Sequence, residues 1–206
     1  MMKFREFDYL EYKNNILIHK SARLGQNISL QSNIVIGENV TIGDNCEISS
    51  FVSIGSHAEM PREEKNDFSV IIGNNVEVRE FVTIHSGHTK NTVIKDFVYI
   101  MNHSHIAHDC TLNNKSVISA GVTLAGHVVI GEECFIGIEA SVHQRTTIGD
   151  LTILGANSFA KGYLGPCLKY VGNPAKPTGI NELAIKRSSK KSIEIEKLLN
   201  EAKELL

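Results

Sequence analysis

Every sixth residue of this chain is aliphatic over most of its length. Stepping from Ile18 gives Leu24, Leu30, Ile36, Ile42, Ile48 and Ile54. A second run holds Ile72, Val78 and Ile84, and a third runs from Ile94 to Leu154 without a miss. All 21 positions are Ile, Leu or Val. A second small or apolar residue precedes most of them by two places, as at Ile34, Val40, Cys46, Val52, Val82, Cys110 and Cys134. Gly often follows, as at Gly25, Gly37, Gly43, Gly131 and Gly149. A period of six suits neither an amphipathic helix, which repeats about every 3.6 residues, nor a heptad. Short alternation followed by a Gly-containing corner suits brief strands joined by tight turns.

Three such strands close a triangular coil, so the 21 hexads predict seven coils, stacked at the strand spacing of about 4.8 Å. The aliphatic column points inward and stacks on itself. A prism this narrow has no room for large rings, which accounts for the absence of Trp and an aromatic content of 6%. The expected fold is all-β, a parallel β-helix of hexapeptide repeats. This signature resembles the left-handed parallel β-helix family. The left hand is implied by that resemblance, because parallel crossovers ordinarily turn the other way.

Two breaks interrupt the pattern. Between Ile54 and Ile72 the numerical phase survives but the pattern fails at Met60 and Asn66, which predicts a loop near residues 56–70. Between Ile84 and Ile94 the step is 10, which predicts a second, shorter loop near residues 85–91. Insertions of this kind in repeat proteins often build the binding face. Residues 1–15 are expected to cap one end, where an open coil would expose strand edges. Residues 161–179 hold three of the four Pro and read as irregular chain over the last coil. The β-helix domain is accordingly placed at 1–179. From 180 to 206 the apolar spacing turns helical, with Ser192 as the expected cap of a C-terminal appendage on the prism or on a neighbouring subunit.

The net charge of -2 gives no basis for attraction to nucleic acid. No run of about 18 apolar residues predicts membrane insertion, and the charged first 15 residues contain no apolar stretch of a signal peptide. The four cysteines lack CxxC spacing, which fits a reducing, cytoplasmic setting. Cys46, Cys110 and Cys134 fall on the inward small position, whereas Cys167 falls in the irregular segment and is expected nearer the surface. Residues 161–191 carry seven basic residues against Glu182 alone, a candidate landing surface for an acidic carrier or a phosphate-bearing donor.

The chain has nine His, and His85, His105, His108, His127 and His143 recur at close to one coil apart once the short insertion is allowed for. They are expected along one edge. Asp109 follows His108, and a carboxylate beside an imidazole can fix its tautomer and stabilise its protonated form. General-base catalysis of acyl transfer is one use for such an edge. Metal binding is a competing one, although no acidic or Cys partner sits at a fixed offset, and no metal is expected. Plain hydrogen bonding at the corners is a third.

The stretch from His105 to Gln144, with HIAHD, LAGH and VHQ, resembles the UDP-N-acetylglucosamine acyltransferases of lipid A biosynthesis and related sugar N-acyltransferases. Residues 77–85 and 171–181 extend the similarity, which covers roughly residues 18–187. The resemblance implies His108 as general base with Asp109 as its orienter. It implies His105, His85, His143, Gln144 and Glu59 on the acceptor side. His127, Ala156, Asn173, Lys176, Asn181, Lys186 and Arg187 fall on the acyl-donor side. It also implies a homotrimer with each site between two subunits, a nucleotide-linked sugar as acceptor, and acyl-CoA or acyl-carrier protein as co-substrate without a tightly bound cofactor.

Departures from the family pattern concern the selectors. Glu59 and Met60 stand where the family has a Gln-Asp pair, Ala156 where it has Gly, and Leu183 where it has Glu. The expectation is therefore the same chemistry on an altered acceptor or acyl group, with N-acylation of an amino sugar ahead of O-acylation of UDP-N-acetylglucosamine. A non-catalytic β-helix scaffold and a zinc-dependent hexapeptide carbonic anhydrase remain as alternatives.

Overall fold

The computed structural model describes residues 9–60 and 67–206. Three parallel sheets run the length of the molecule, each strand two to four residues long, and each pairs with the strand one coil away. The first sheet runs from Ile16–His19 to Phe159–Ala160, the second from Arg23–Leu24 to Tyr163–Leu164, and the third from Ser29–Leu30 to Leu168–Val171. Each contains eight parallel strands, so the solenoid has eight turns rather than the seven expected. The additional turn comes from Tyr163–Leu164 and Leu168–Val171, in the segment read as irregular chain. The hexad count missed it because that turn is two residues short: Thr147 lies opposite Tyr163, whereas Val129 lies opposite Thr147.

An antiparallel strand closes each end. Tyr9–Tyr12 pairs with Ile16–His19, and Lys176–Ile180 pairs with Leu168–Val171. These hairpins cover backbone edges that an open coil would leave unpaired. Residues 1–8 of the expected N-terminal cap lie outside the described residues.

Register records the two breaks. Coils elsewhere repeat every 18 residues, as in Ile16 opposite Ile34. Thr41 pairs with Ile71, which places 12 extra residues after Ser56, two whole hexads, and explains why the phase survived. Thr92 pairs with Val70, which places four extra residues after His85. Both insertions leave from the same edge, between the first and second sheets. Residues 61–66 of the longer loop lie outside the described residues.

The interior is a stack of Ile, Leu and Val, with Ile34, Ile54, Ile84, Ile100, Ile118 and Ile136 fully buried. Cys46, Cys110 and Cys134 occupy the inward small position as expected. Cys167 does not follow its expectation. It is fully buried, because the short eighth turn draws it into the core. Burial pushes the thiols of Cys110 and Cys134 up to about 12 and that of Cys167 to about 11, so none supplies a thiolate near neutrality.

Corner glycines such as Gly43 and Gly131 act through space, whereas Gly55 and Gly121 also adopt positive φ. A Cβ on Gly43 would lie 2.6 Å from the Gly73 carbonyl oxygen, and one on Gly131 would lie 2.6 Å from the Gly149 carbonyl carbon. Successive coils approach too closely there for any side chain. The left-handed corner position is often filled by Asn in the first half, as at Asn33, Asn39, Asn45 and Asn75, and by varied residues including Asp109 and His127 in the second. Asn and Asp accept this region more readily than other side chains.

The C-terminal segment forms α1 (Glu182–Arg187) and α2 (Ser192–Glu204), which pack against the solenoid. Ala202 is buried, and Leu198, Leu199, Ala184 and Ile185 are half-buried on the core. Ser192 is the first helical residue rather than the cap. Lys191 takes the cap position, and its N–H donates to Glu194 at 2.9 Å. Lys190 Nζ contacts Glu132 at 2.5 Å and Asp150 at 2.9 Å. That engagement removes Lys190 from the expected basic landing surface.

Each aliphatic packs mainly against its counterparts one coil away, so a cavity in a middle coil cannot be absorbed at the ends. Ile100→Ala should destabilise the protein by about 2–5 kcal/mol, measured by urea denaturation. A loss below about 1 kcal/mol would contradict a close-packed column at that level.

Candidate functional site

The edge between the first and second sheets collects the histidines. His85 ends the strand Thr83–His85, and His105 begins the next strand of the same sheet. His108 and His127 stand on the corners of successive coils, and His143 follows Ser141–Val142 one coil further on. His127 N–H donates to the His108 carbonyl, the ladder bond that fixes one corner over the other. The rings of His108 and His127 meet edge to face with centroids 5.2 Å apart.

Asp109 is the buried anchor of this edge. Its Oδ2 lies 2.7 Å from His108 Nδ1 and 3.5 Å from His127 Nε2. Its Oδ1 accepts the backbone N–H groups of His88, Thr89 and Lys90 at 3.2, 2.8 and 2.8 Å, and the Thr89 hydroxyl at 3.2 Å. Its own N–H donates to Thr92 Oγ1. Burial alone would raise its pKa, but these hydrogen bonds outweigh burial and hold it at about 2. The group is therefore a carboxylate at neutral pH although its surface is fully covered.

The donors come from the four-residue insertion. That insertion turns through Gly87, where a Cβ would lie 1.6 Å from the Lys90 carbonyl oxygen. The phase break thus builds a cradle of N–H groups around one carboxylate. Sequence reasoning located the insertion but not this use of Thr89 and Lys90. The available signal was its position, one coil before HIAHD on the same edge.

With Nδ1 facing a carboxylate, His108 presents Nε2 outward as its proton-accepting atom. Gly126 lies against that face: a Cβ there would sit 2.6 Å from His108 Nε2. Among the described residues, none accepts a hydrogen bond from the Gly126 N–H. An unengaged donor beside a base is a feature that residue spacing did not reveal. Burial lowers the pKa of His127, and Asp109 opposes that shift.

A second group lies on the same edge. Glu59, from the longer insertion, brings Oε2 to 3.0 Å from His105 Nε2 and Oε1 to 3.8 Å from His85 Nε2. His85 Nδ1 donates to the His57 carbonyl at 2.7 Å, and His105 Nδ1 contacts the Thr83 hydroxyl at 2.8 Å. His143 is half-buried with its ring edge toward Phe159, and Gln144 beside it is exposed.

The remaining expected residues are elsewhere. Asn181 is buried with its Nδ2 on the Leu151 carbonyl, at the edge between the second and third sheets, where α1 carries exposed Lys186 and Arg187. Ala156, Asn173 and Lys176 are exposed near the edge between the third and first sheets. Within one chain the structure assembles His85, His105, His108, Asp109, His127, His143 and Glu59. It leaves the donor-side group on two other edges, except for His127.

Residues 91–126 match the family model for the bacterial transferase hexapeptide (six repeats). The chain is 37% identical over 121 residues to acyl-[acyl-carrier-protein]–UDP-N-acetylglucosamine O-acyltransferase of Burkholderia lata, a match spanning 57% of this chain and 46% of that protein. The chain therefore spans about half the length of the curated relatives it matches. The UDP-N-acetylglucosamine acyltransferase structure from Campylobacter jejuni superposes with a TM-score of 0.80 at 31% identity, covering 89% of this chain and 72% of that one. LpxA from Acinetobacter baumannii superposes with a TM-score of 0.79 at 27% identity, covering 92% and 81%. Among the described residues, no helix is long and apolar enough to cross a membrane.

Because the Asp109 pKa is depressed on folding, its contribution to stability is fully present above the unfolded value of about 3.9. That contribution is lost as pH falls toward about 2. Asp109→Asn removes this dependence. The stability difference between the wild type and Asp109→Asn, measured by denaturation at several pH values, should shrink between about pH 4 and pH 2. A gap that stays constant over that range would mean the carboxylate is not held charged as described.

Proposed function

The chain belongs to the UDP-N-acetylglucosamine acyltransferase family of hexapeptide-repeat proteins, and from that premise we propose that it transfers an acyl group from a carrier thioester to a nucleotide-linked sugar. The observation that carries this reading is the buried pair of His108 Nδ1 and Asp109 Oδ2 at 2.7 Å, beside the unengaged N–H of Gly126. His108 Nε2 takes the proton of the attacking sugar group as its oxygen or nitrogen bonds to the thioester carbonyl carbon. Asp109 holds the tautomer and stabilises the imidazolium. The carbonyl oxygen becomes an oxyanion, and the Gly126 N–H supplies a donor for it. Collapse breaks the carbon–sulfur bond, and the imidazolium returns its proton to the departing thiolate.

The matched relatives are named as O-acyltransferases using acyl-carrier protein, and this favours a hydroxyl of UDP-N-acetylglucosamine as acceptor and the carrier protein as donor. The relatives' names thus turn the sequence-based preference for an amine toward a hydroxyl. Amino-sugar N-acylation is retained as the second reading on one observation, the carboxylate of Glu59 facing His105 in the acceptor loop. Acyl-CoA is the alternative donor.

The coil is proposed to be left-handed and the protein a homotrimer. The separation of the proposed donor-side group supports assembly: Asn181, Lys186 and Arg187 stand on a different edge from His108, and in the proposed trimer a neighbouring subunit brings them to it. Four free, buried thiols fit a cytoplasmic setting. A β-helix domain over 1–179 with a helical appendage over 180–206 completes the proposal.

The test is a screen of UDP-N-acetylglucosamine and amino-sugar nucleotides against acyl-carrier protein and acyl-CoA thioesters, read by mass spectrometry. His108→Ala should lower kcat at least ~100-fold while the protein remains folded. Activity within a few-fold of wild type would refute the assigned base. A product carrying the acyl group as an ester supports the hydroxyl reading, and one carrying it as an amide supports the amine.

A further inference from the structure

We propose that Glu59, His85 and His105 form a site for one divalent transition-metal ion, of which zinc is the best-fitting example. The inference goes beyond acyl transfer and does not depend on it. One carboxylate and two imidazoles meet from three separate segments, with all ligand atoms within 4.8 Å of one another. Glu59 Oε2 is 3.0 Å from His105 Nε2, and Oε1 is 3.8 Å from His85 Nε2. Tetrahedral zinc with bonds of about 2.0–2.1 Å places its ligand atoms roughly 3.3 Å apart. These two separations, each to a different carboxylate oxygen, bracket that value, and all three groups lie within 4.8 Å of one another, so side-chain rotation is what brings them onto one ion.

The surroundings of the two rings point the same way. A carbonyl oxygen only accepts, so the 2.7 Å contact from His85 Nδ1 to His57 O fixes the proton on Nδ1. Nε2 of His85 is then the ring nitrogen left facing Glu59. His105 Nδ1 is likewise engaged, by the Thr83 hydroxyl at 2.8 Å, with Nε2 toward the same carboxylate. A backbone carbonyl or side-chain partner on the far nitrogen is the usual outer support of a metal-binding His.

The other trio on this edge, His108, Asp109 and His127, is less suited. The Asp109 Oδ1 already accepts from three N–H groups and a hydroxyl, and its Oδ2 faces His108 Nδ1. In the Glu59 trio the carboxylate side chain is half-exposed and open to an entering ion. Two imidazoles and one carboxylate select zinc, cobalt or nickel over magnesium and calcium, which prefer all-oxygen sites. A bound ion joins residue 59 of the long insertion to two strands of the first sheet. It also occupies the lone pairs that an acceptor sugar would otherwise meet there.

The experiment is calorimetric titration of zinc chloride into the full chain, purified without a histidine tag and stripped with chelator. One zinc per chain with micromolar or tighter affinity is expected, with no heat from magnesium. Glu59→Gln and His85→Gln should each weaken binding at least ~10-fold, while His127→Gln should leave it unchanged. Thermal unfolding of each variant without metal checks that the fold is intact. Cobalt should give the visible absorption of a low-coordinate ion in the wild type and lose it in Glu59→Gln. Absence of zinc binding would overturn the proposal. So would binding that survives Glu59→Gln and fails in His127→Gln, which would put the ion on the other trio. Neither result bears on acyl transfer, whose own test is product formation.

Discussion

The structure depends on how closely one coil can lie on the next. A strand of two residues has no hydrogen-bond partner within its own coil, so each backbone group must reach the coil above or below. That demand fixes the spacing, and the spacing fixes the sequence. Where corners touch, as at Gly43 over Gly73 and Gly131 over Gly149, no Cβ fits. Inside, one aliphatic per hexad fills the section, and the columns of Ile and Leu become continuous. The ends cannot satisfy the rule by stacking, and both are closed by antiparallel hairpins instead.

A lattice so regular has little to offer chemistry, because every corner resembles the next. Individuality enters where the register is broken. Both insertions leave from the same edge, and each delivers something the hexads cannot. The shorter one brings three N–H groups onto Asp109, and the longer one brings Glu59 onto His85 and His105. Left-handed backbone at Asp109 and His127 costs each of them about 1–3 kcal/mol. At other corners this conformation is taken by Asn and by residues as varied as Phe51, Lys115 and Leu151. At this edge the cost places a carboxylate and an imidazole where they meet His108.

The fold was legible because period six is self-reporting: each aliphatic repeats the same demand, and a miss stands out. Legibility failed where the repeat ran short at its C-terminal end. The short turn after Thr147 hid the eighth coil and the burial of Cys167. The histidine edge was legible because 18-residue spacing converts directly into adjacency. Glu59 near His105 was not readable from spacing, since a loop of 12 extra residues has no fixed offset to its neighbours. The same holds for the cradle at Thr89 and Lys90, where the donors are backbone groups and carry no side-chain signature. The basic segment at 161–191 was read only in part, for a different reason. A sum of charges does not say which are already paired, and Lys190 is held by Glu132 and Asp150.

The distribution of residues over three edges constrains assembly more firmly than any one contact. The proposed catalysis by His108 would need the donor thioester at the first edge, yet Asn181, Lys186 and Arg187 sit at the second. A rigid prism cannot bring two of its own edges together, because the core between them is packed solid. If both groups serve one reaction, a second copy must present its second edge to the first edge of its neighbour. That contact is heterologous, and it closes only by rotation. The packed section thus carries the hexad's regularity up to the proposal that a complete site is shared between subunits.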